Sequence, residues 1–313
     1  MKKQELLSNT SMIFTVIVWG LSFLSIKVVI DIIPPMTLGL VRFIIASVFL
    51  FAVLKFKEPN TKVNKKDLPL MAIAGFIGVT VYFFFENNGI KLMPASTASL
   101  IIATIPIFTF IFESIVFKTK LTKWKILSVF ISFIGVFFIV NINFKEITSS
   151  SSFLGYLFMI GAVLAWVVYS LVTKPLFGKY SQLTIVFYQS VFGTIFFIPF
   201  SLFESTNLTM ISPAIIFNVL YLGVFCSAIG YITYVYSMEH LGVSTSSLYL
   251  NILPLVTVIA SYFILDEKIS LPQIIGGLLI VLSVYIVGYD DKKNLESNIA
   301  LENIQKELLG NIK

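Results

Sequence analysis

The chain has 313 residues, 57% hydrophobic and 12% charged, with a mean hydropathy of +0.94 and a net charge of +6. A soluble domain of this length could not hide so much apolar surface in one core, so lipid is the solvent that fits. A single cysteine, Cys226, excludes an intramolecular disulfide, and with one histidine and no GxxxxGK(S/T) loop there is little from which to build thiol, metal or ATP-driven chemistry.

Ten apolar runs are long enough to cross the hydrocarbon as helices, which takes about 20 residues each. They fall at 11–30, 36–54, 69–89, 96–117, 126–142, 153–173, 183–203, 214–237, 245–265 and 273–289. A barrel strand would need only about 9–11 strictly alternating residues. The first run has no small-residue cleavage site and carries Trp19 and Lys27, so it is expected to be a span and not a signal peptide.

Charges inside these runs need a partner, water or an escape to the interface, since a lone charge at mid-bilayer costs about 2.5–3.5 kcal/mol on insertion scales. Lys27 and Asp31 close the first span. Arg42, the sole arginine, lies in the second, and Glu86 nears the end of the third, one turn after Tyr82. Two positive and two negative groups at one depth predict a mutually compensating cluster, acting either as a structural clamp or as a gate or substrate contact for Lys27 and Glu86. Glu113, followed by Lys118 and Lys120, is expected to snorkel to the interface. Pro106 and Pro254 interrupt the fourth and ninth spans and each frees a backbone carbonyl.

Polar stripes mark helices that face a cavity or pack closely on a neighbour. Trp19 with Ser22, Trp166 with Tyr169 and Ser170, and Ser227, Tyr231 and Tyr234 form three of them. In the ninth span Ser244, Ser247, Asn251 and Pro254 recur at spacings of 3, 4 and 3, on one helical face. Trp19 and Trp166 lie near mid-span, where the usual interfacial role of tryptophan does not apply. These positions predict a cavity containing Trp19, Tyr82, Trp166, Tyr231 and Asn251. The alternative is packing by small polar side chains. His240, in a short loop after the eighth span, is expected to be exposed.

Charge placement sets the orientation. With the N terminus in the cytoplasm and ten spans, 17 of the 22 basic residues lie inside and three outside (Lys91, Lys145 and Lys268). Both termini are therefore expected in the cytoplasm, and the high pI needs no nucleic-acid partner. The tail 291–313 reads as a short amphipathic segment with no assigned chemistry.

A shift of 148 residues lays Gly75 on Gly223, Ser96-Thr97-x-Ser99-Leu100 on Ser244-Thr245-x-Ser247-Leu248, Pro106 on Pro254 and Thr109 on Thr257. A shift of 147 lays Trp19 on Trp166 and Lys27 on Lys174. Each repeat holds five spans, so the second enters the membrane from the opposite side. Accordingly the loop carrying Lys118, Lys120, Lys123 and Lys125 has a mate carrying Asp266, Glu267 and Lys268. The expected architecture is all-α and polytopic, ten transmembrane helices in two inverted five-helix repeats, 1–145 and 150–290. Such inverted repeats are a transporter architecture with substrate near the midplane.

The Trp19-Gly20-x-Ser22-Phe23 opening, Arg42, and the segment Glu86–Leu100 followed by Pro106 resemble the drug/metabolite transporter superfamily, EamA type. So do Ser244-Thr245-x-Ser247, Pro254 and Asp266-Glu267-Lys268 in the second half. The resemblance covers about 10–290. It implies a ten-helix carrier without cofactor or metal, exporting amino acids or related metabolites from the bacterial cytoplasm through a cavity lined by spans one, three, four, six, eight and nine. The expected substrate-facing residues are Trp19, Ser22, Lys27, Tyr82, Glu86, Trp166, Tyr169, Tyr231, Tyr234, Ser247 and Asn251. Asp31, Arg42, Pro106 and Pro254 are expected in structural or gating roles. The partners are a small-molecule substrate and the bilayer, and a homodimer is compatible with the sequence. The rival classes are a membrane-embedded enzyme and a non-transporting sensor or scaffold.

Overall fold

The computed structural model describes residues 2–118, 122–140, 150–206, 210–265, 270–272, 274–283, 285–286 and 289. Lys120, Lys145, Asp266, Glu267, Lys268 and the tail 291–313 lie outside the described residues. Among the described residues every regular element is helical. The chain is an all-helical, polytopic membrane protein, and eight of these helices are long and apolar enough to cross a bilayer.

The helices, in chain order, are α1 Lys2–Val29, α2 Pro35–Lys57, α3 Leu68–Leu92, α4 Ala95–Phe117, α5 Lys123–Val140, α6 Ser150–Thr173, α7 Gln182–Ser201, α8 Pro213–Leu241, α9 Val243–Ile264 and α10 Ile274–Ser283. Those eight are all of the helices but α5 and α10, which overlap the fifth and tenth apolar runs. Helix α1 begins nine residues before its apolar run, because Lys2–Thr10 continues the helix past the hydrocarbon. Proline initiates α2 and α8, where its missing N–H costs nothing. Ser181 and Ser212 cap α7 and α8 by accepting the backbone N–H of Thr184 and Ile215.

Four helices are not regular. Helix α3 contains a π segment, Phe76–Val81, and α8 contains another, Leu222–Ile229. Helix α4 breaks after Ile102 and restarts at Ile105, with Pro106 in its new first turn; α9 passes through a 3-10 turn, Leu250–Ile252, and restarts at Leu253 beside Pro254. Each proline thus opens a fresh helical segment, and the freed carbonyls four residues back belong to Ile102 and Leu250. The irregularities recur at the same 148-residue spacing as the prolines.

Helix α1 packs on α8 and α9, α2 on α7 and α8, and α3 on α6 and α7. Close approach depends on glycine. A Cβ on Gly75 would strike the backbone carbonyl of Gln189, and one on Gly223 would come within 2.7 Å of Ile45 and 3.1 Å of the Arg42 carbonyl. Helices α5 and α10 meet where Gly135 faces the Gly276 carbonyl. The outward faces are apolar, with Ile115 70%, Phe217 70% and Phe263 76% exposed. An apolar exterior, with charged groups such as Arg42, Glu86 and Glu113 turned inward, is the pattern lipid demands.

Candidate functional site

The π segments offer backbone carbonyls to side chains. In α3 the Gly78 carbonyl accepts the Tyr231 hydroxyl at 2.8 Å, and in α8 the Cys226 carbonyl accepts the Trp19 indole N–H at 3.0 Å. Gly78 and Cys226 are 148 residues apart. A π turn displaces the ordinary i−4 partner, and here each displaced region anchors an aromatic ring at the centre of the bundle.

Those rings form one cluster. Trp19 and Trp166 meet edge to face with centroids 5.2 Å apart, and both approach Tyr231 at 5.6 Å. Tyr82 lies 4.7 Å from Trp166. Such pairs each contribute about 0.5–1.5 kcal/mol beyond simple burial. Beside them opens a cavity with about 370 Å³ of atom-free space, measured out through its mouth, lined by Trp19, Ser22, Phe23, Arg42, Tyr82, Phe83, Glu86, Ile102, Ile105, Trp166, Tyr231, Leu250 and Leu253. Four pairs in this wall are 147 or 148 residues apart: Trp19 with Trp166, Phe83 with Tyr231, Ile102 with Leu250, and Ile105 with Leu253.

Six of the eleven expected substrate-facing residues stand on this wall: Trp19, Ser22, Tyr82, Glu86, Trp166 and Tyr231. Tyr169 and Tyr234 lie behind it. The Tyr234 hydroxyl accepts the Trp166 indole N–H at 3.0 Å, and the Tyr169 hydroxyl donates to Gln189 Oε1 at 3.1 Å. Ser247 is buried and donates to the Ser244 carbonyl. Asn251 is also off the wall, fully buried, with neither amide atom hydrogen-bonded. The stripe that suggested it assumes 3.6 residues per turn, and the 3-10 turn over Leu250–Ile252 turns Leu250 to the cavity instead.

The expected four-charge cluster is corrected to a pair. Arg42 and Glu86 share the cavity, but Lys27 caps the C-terminal carbonyls of α3, donating to Ile90 at 3.0 Å and Met93 at 3.2 Å, a favourable site for a cation. Asp31 is exposed. Arg42 Nε donates to Ser227 Oγ at 2.8 Å, and its guanidinium lies 4.2 Å from the Phe83 ring centroid. Glu86 Oε1 accepts the Tyr82 hydroxyl at 2.6 Å.

Away from the cavity, carboxylates tie the two halves at the end where most loop lysines gather. Glu58 accepts the hydroxyls of Ser181 at 2.6 Å and Thr184 at 3.0 Å, and Asp67 accepts the Tyr180 hydroxyl at 2.7 Å with Lys179 Nζ at 3.5 Å. That Tyr180 bond, with the Lys179 charge, holds the Asp67 carboxyl below its usual range. Glu113 does not snorkel. It is 7% exposed, ion-paired with Lys174 at 2.7 Å and hydrogen-bonded by Ser244. At the opposite end Glu204 accepts the Met36 and Thr37 backbone N–H groups at the start of α2, at 3.0 and 2.7 Å. His240 is in the last turn of α8, half-buried, its Nδ1 2.7 Å from the Tyr236 carbonyl, and not in an exposed loop.

Gln189, Phe83 and the apolar wall from Ile102 to Leu253 escaped sequence reading. Phe83 could have been found as the partner of Tyr231 at the 148-residue spacing, and Ile102 and Leu250 as the residues four before each proline.

An aromatic cavity holding one arginine and one glutamate is thus enclosed by helices long and apolar enough to span a membrane. The model of the EamA-like transporter family matches the chain twice, over 7–141 and 153–289. The chain belongs to this family. Two uncharacterized transporters of Archaeoglobus fulgidus are 29% and 31% identical over 273 residues, covering 87% of this chain and 94% and 95% of theirs. A probable terminal-alkyne amino-acid exporter of Streptantibioticus cattleyicolor is 27% identical, covering 88% of this chain and 92% of that protein. A solved crystal structure shares the fold with a TM-score of 0.70 at 18% identity, over 91% of this chain and 96% of that one.

Proposed function

We propose that the chain is a secondary carrier exporting a small amphipathic metabolite, of amino-acid type, across the cytoplasmic membrane by alternating access. In this reading ten spans form two inverted five-helix repeats with both termini in the cytoplasm, and the cavity is the substrate site. The observation that carries it is the cavity wall, to which the two halves contribute residues 147 or 148 positions apart, with Trp19 packed against Trp166. The double match of the family model and the name of the Streptantibioticus relative support it. Rocking of one repeat against the other would expose such a midplane site to each side in turn.

Trp166 touches Trp19, Tyr82, Tyr169, Tyr231 and Tyr234, so truncation to Ala would unpack the cluster as well as the site. Trp166→Phe keeps most of the ring packing and removes the bond to Tyr234, at a stability cost of about 1 kcal/mol. Amino-acid flux in proteoliposomes should fall roughly tenfold while detergent melting shifts only slightly. Loss of flux in mere proportion to lost stability would make Trp166 a packing residue and remove it from the substrate site.

A further inference from the structure

The charged pair in the cavity has no charged counterpart in the other half. The residues 147 and 148 positions after Arg42 and Glu86 are Gln189 and Tyr234. Both are buried, neutral and satisfied: Gln189 accepts from Tyr169 and donates to Thr173, each at 3.1 Å, and Tyr234 accepts from Trp166 at 3.0 Å. Packing at these two helix positions is therefore achieved without charge. Arg42 and Glu86 are as deeply buried, 2% and 4% exposed, yet incompletely engaged. Arg42 Nη1 has no hydrogen-bond partner, although Ser227 holds Nε and Phe83 stacks under the guanidinium. Glu86 carries one hydrogen bond, from Tyr82, and among the described residues it forms no ion pair with Arg42. A buried cation and a buried carboxylate in one cavity, held apart by other bonds, are costly unless something fits between them.

We propose that Arg42 and Glu86 are a two-point anchor for a zwitterion, the guanidinium edge taking the substrate's carboxylate and Glu86, oriented by Tyr82, taking its ammonium group. The assignment rests on the transport reading above and deepens it, fixing both the charge type of the ligand and its polarity in the site. A guanidinium presents a planar fork that matches a carboxylate with two parallel N–H bonds, and the Ser227 and Phe83 contacts lock the plane of that fork. The apolar portion of the ligand then falls among Trp19, Trp166, Ile102 and Leu250. A compound with one charge satisfies one pole and leaves the other buried and unpaired, so the site discriminates by penalty as well as by attraction.

The full-length protein in proteoliposomes tests this with three compounds sharing a ring: L-phenylalanine, phenethylamine, which lacks the carboxylate, and 3-phenylpropanoate, which lacks the amine. Wild-type protein should transport phenylalanine with kcat/KM at least tenfold above either. Arg42→Gln should abolish the preference over phenethylamine, and Glu86→Gln the preference over 3-phenylpropanoate. Arg42→Lys, which keeps the charge without the fork, should retain only part of the discrimination, and it carries the test if melting shows that Arg42→Gln does not fold. Flux of all three compounds without preference, or variants that scale all three by one factor, would overturn the anchor and leave the carrier standing. No flux of any compound would overturn the proposed amphipathic substrate and the anchor together.

Discussion

Glu113 shows how far a single residue can be read without its neighbours. Its place near a span end and the lysines after it suggest snorkelling, yet Lys174 and Ser244, 61 and 131 residues away, hold it inside. Lys174 is itself placed 4.1 Å from the Phe117 ring centroid. A partner from another helix is invisible to periodicity, which reports only on a helix's own faces. Asp67 supports a prediction at the same scale. Its carboxyl is depressed by the Tyr180 hydroxyl and Lys179, so its contribution is present above the unfolded carboxylate pKa and is lost as pH falls through the lowered value. Melting of the wild type should therefore lose stability on acidification through that range more steeply than Asp67→Asn does. Identical pH profiles for the two would show that the bond contributes nothing to the folded state.

At the scale of elements, the regular parts of the helices were legible and the irregular parts were not. Apolar runs of about 20 residues locate spans because the bilayer sets their length. The π segments in α3 and α8 have no comparable signature, although their consequence is large: they turn the Gly78 and Cys226 carbonyls to Tyr231 and Trp19. Two glycines, Gly75 just before the first segment and Gly223 at the start of the second, are readable once packing is known. Gly75→Ala would drive a methyl group into the Gln189 carbonyl, and Gly223→Ala into Ile45, each at a helix contact with no flexible tip to yield. Each substitution should destabilise by about 1–3 kcal/mol, the usual cost of overpacking, measured as a lower melting temperature in detergent. An unchanged melting temperature for both would mean that α3–α7 and α2–α8 are not closely packed.

Considered whole, the molecule is tied most heavily at its lysine-rich end, where Glu58, Asp67 and Glu113 each reach across from the first half to the second. Along the helices, Arg42, Glu86 and Ile102 lie seven or fewer residues from the opposite ends of α2, α3 and α4. The charged portion of the cavity is thus on the lysine-poor side, with the ties on the other. If the carrier alternates, these ties must break in each cycle. A disulfide between Glu58→Cys and Ser181→Cys in a Cys226→Ser background should stop flux when oxidised and restore it on reduction. Full turnover by the oxidised protein would show that this end does not open.

By itself the sequence determined that the chain lives in lipid, where most of its spans run, and which residues are anomalous there: two mid-span tryptophans, one arginine, one glutamate after a tyrosine, two prolines. Those conclusions follow from local physics, the cost of a charge in hydrocarbon and the length of a helix that spans it. Tertiary structure decided which anomalies belong together. It set Arg42 and Glu86 on one cavity wall and sent Lys27 to the end of α3, put Leu250 on the cavity wall in place of Asn251, and paired Glu113 with Lys174. The reason is that a helical sequence specifies faces but not the angle or register at which faces meet, and here π and 3-10 turns, invisible in composition, set that register.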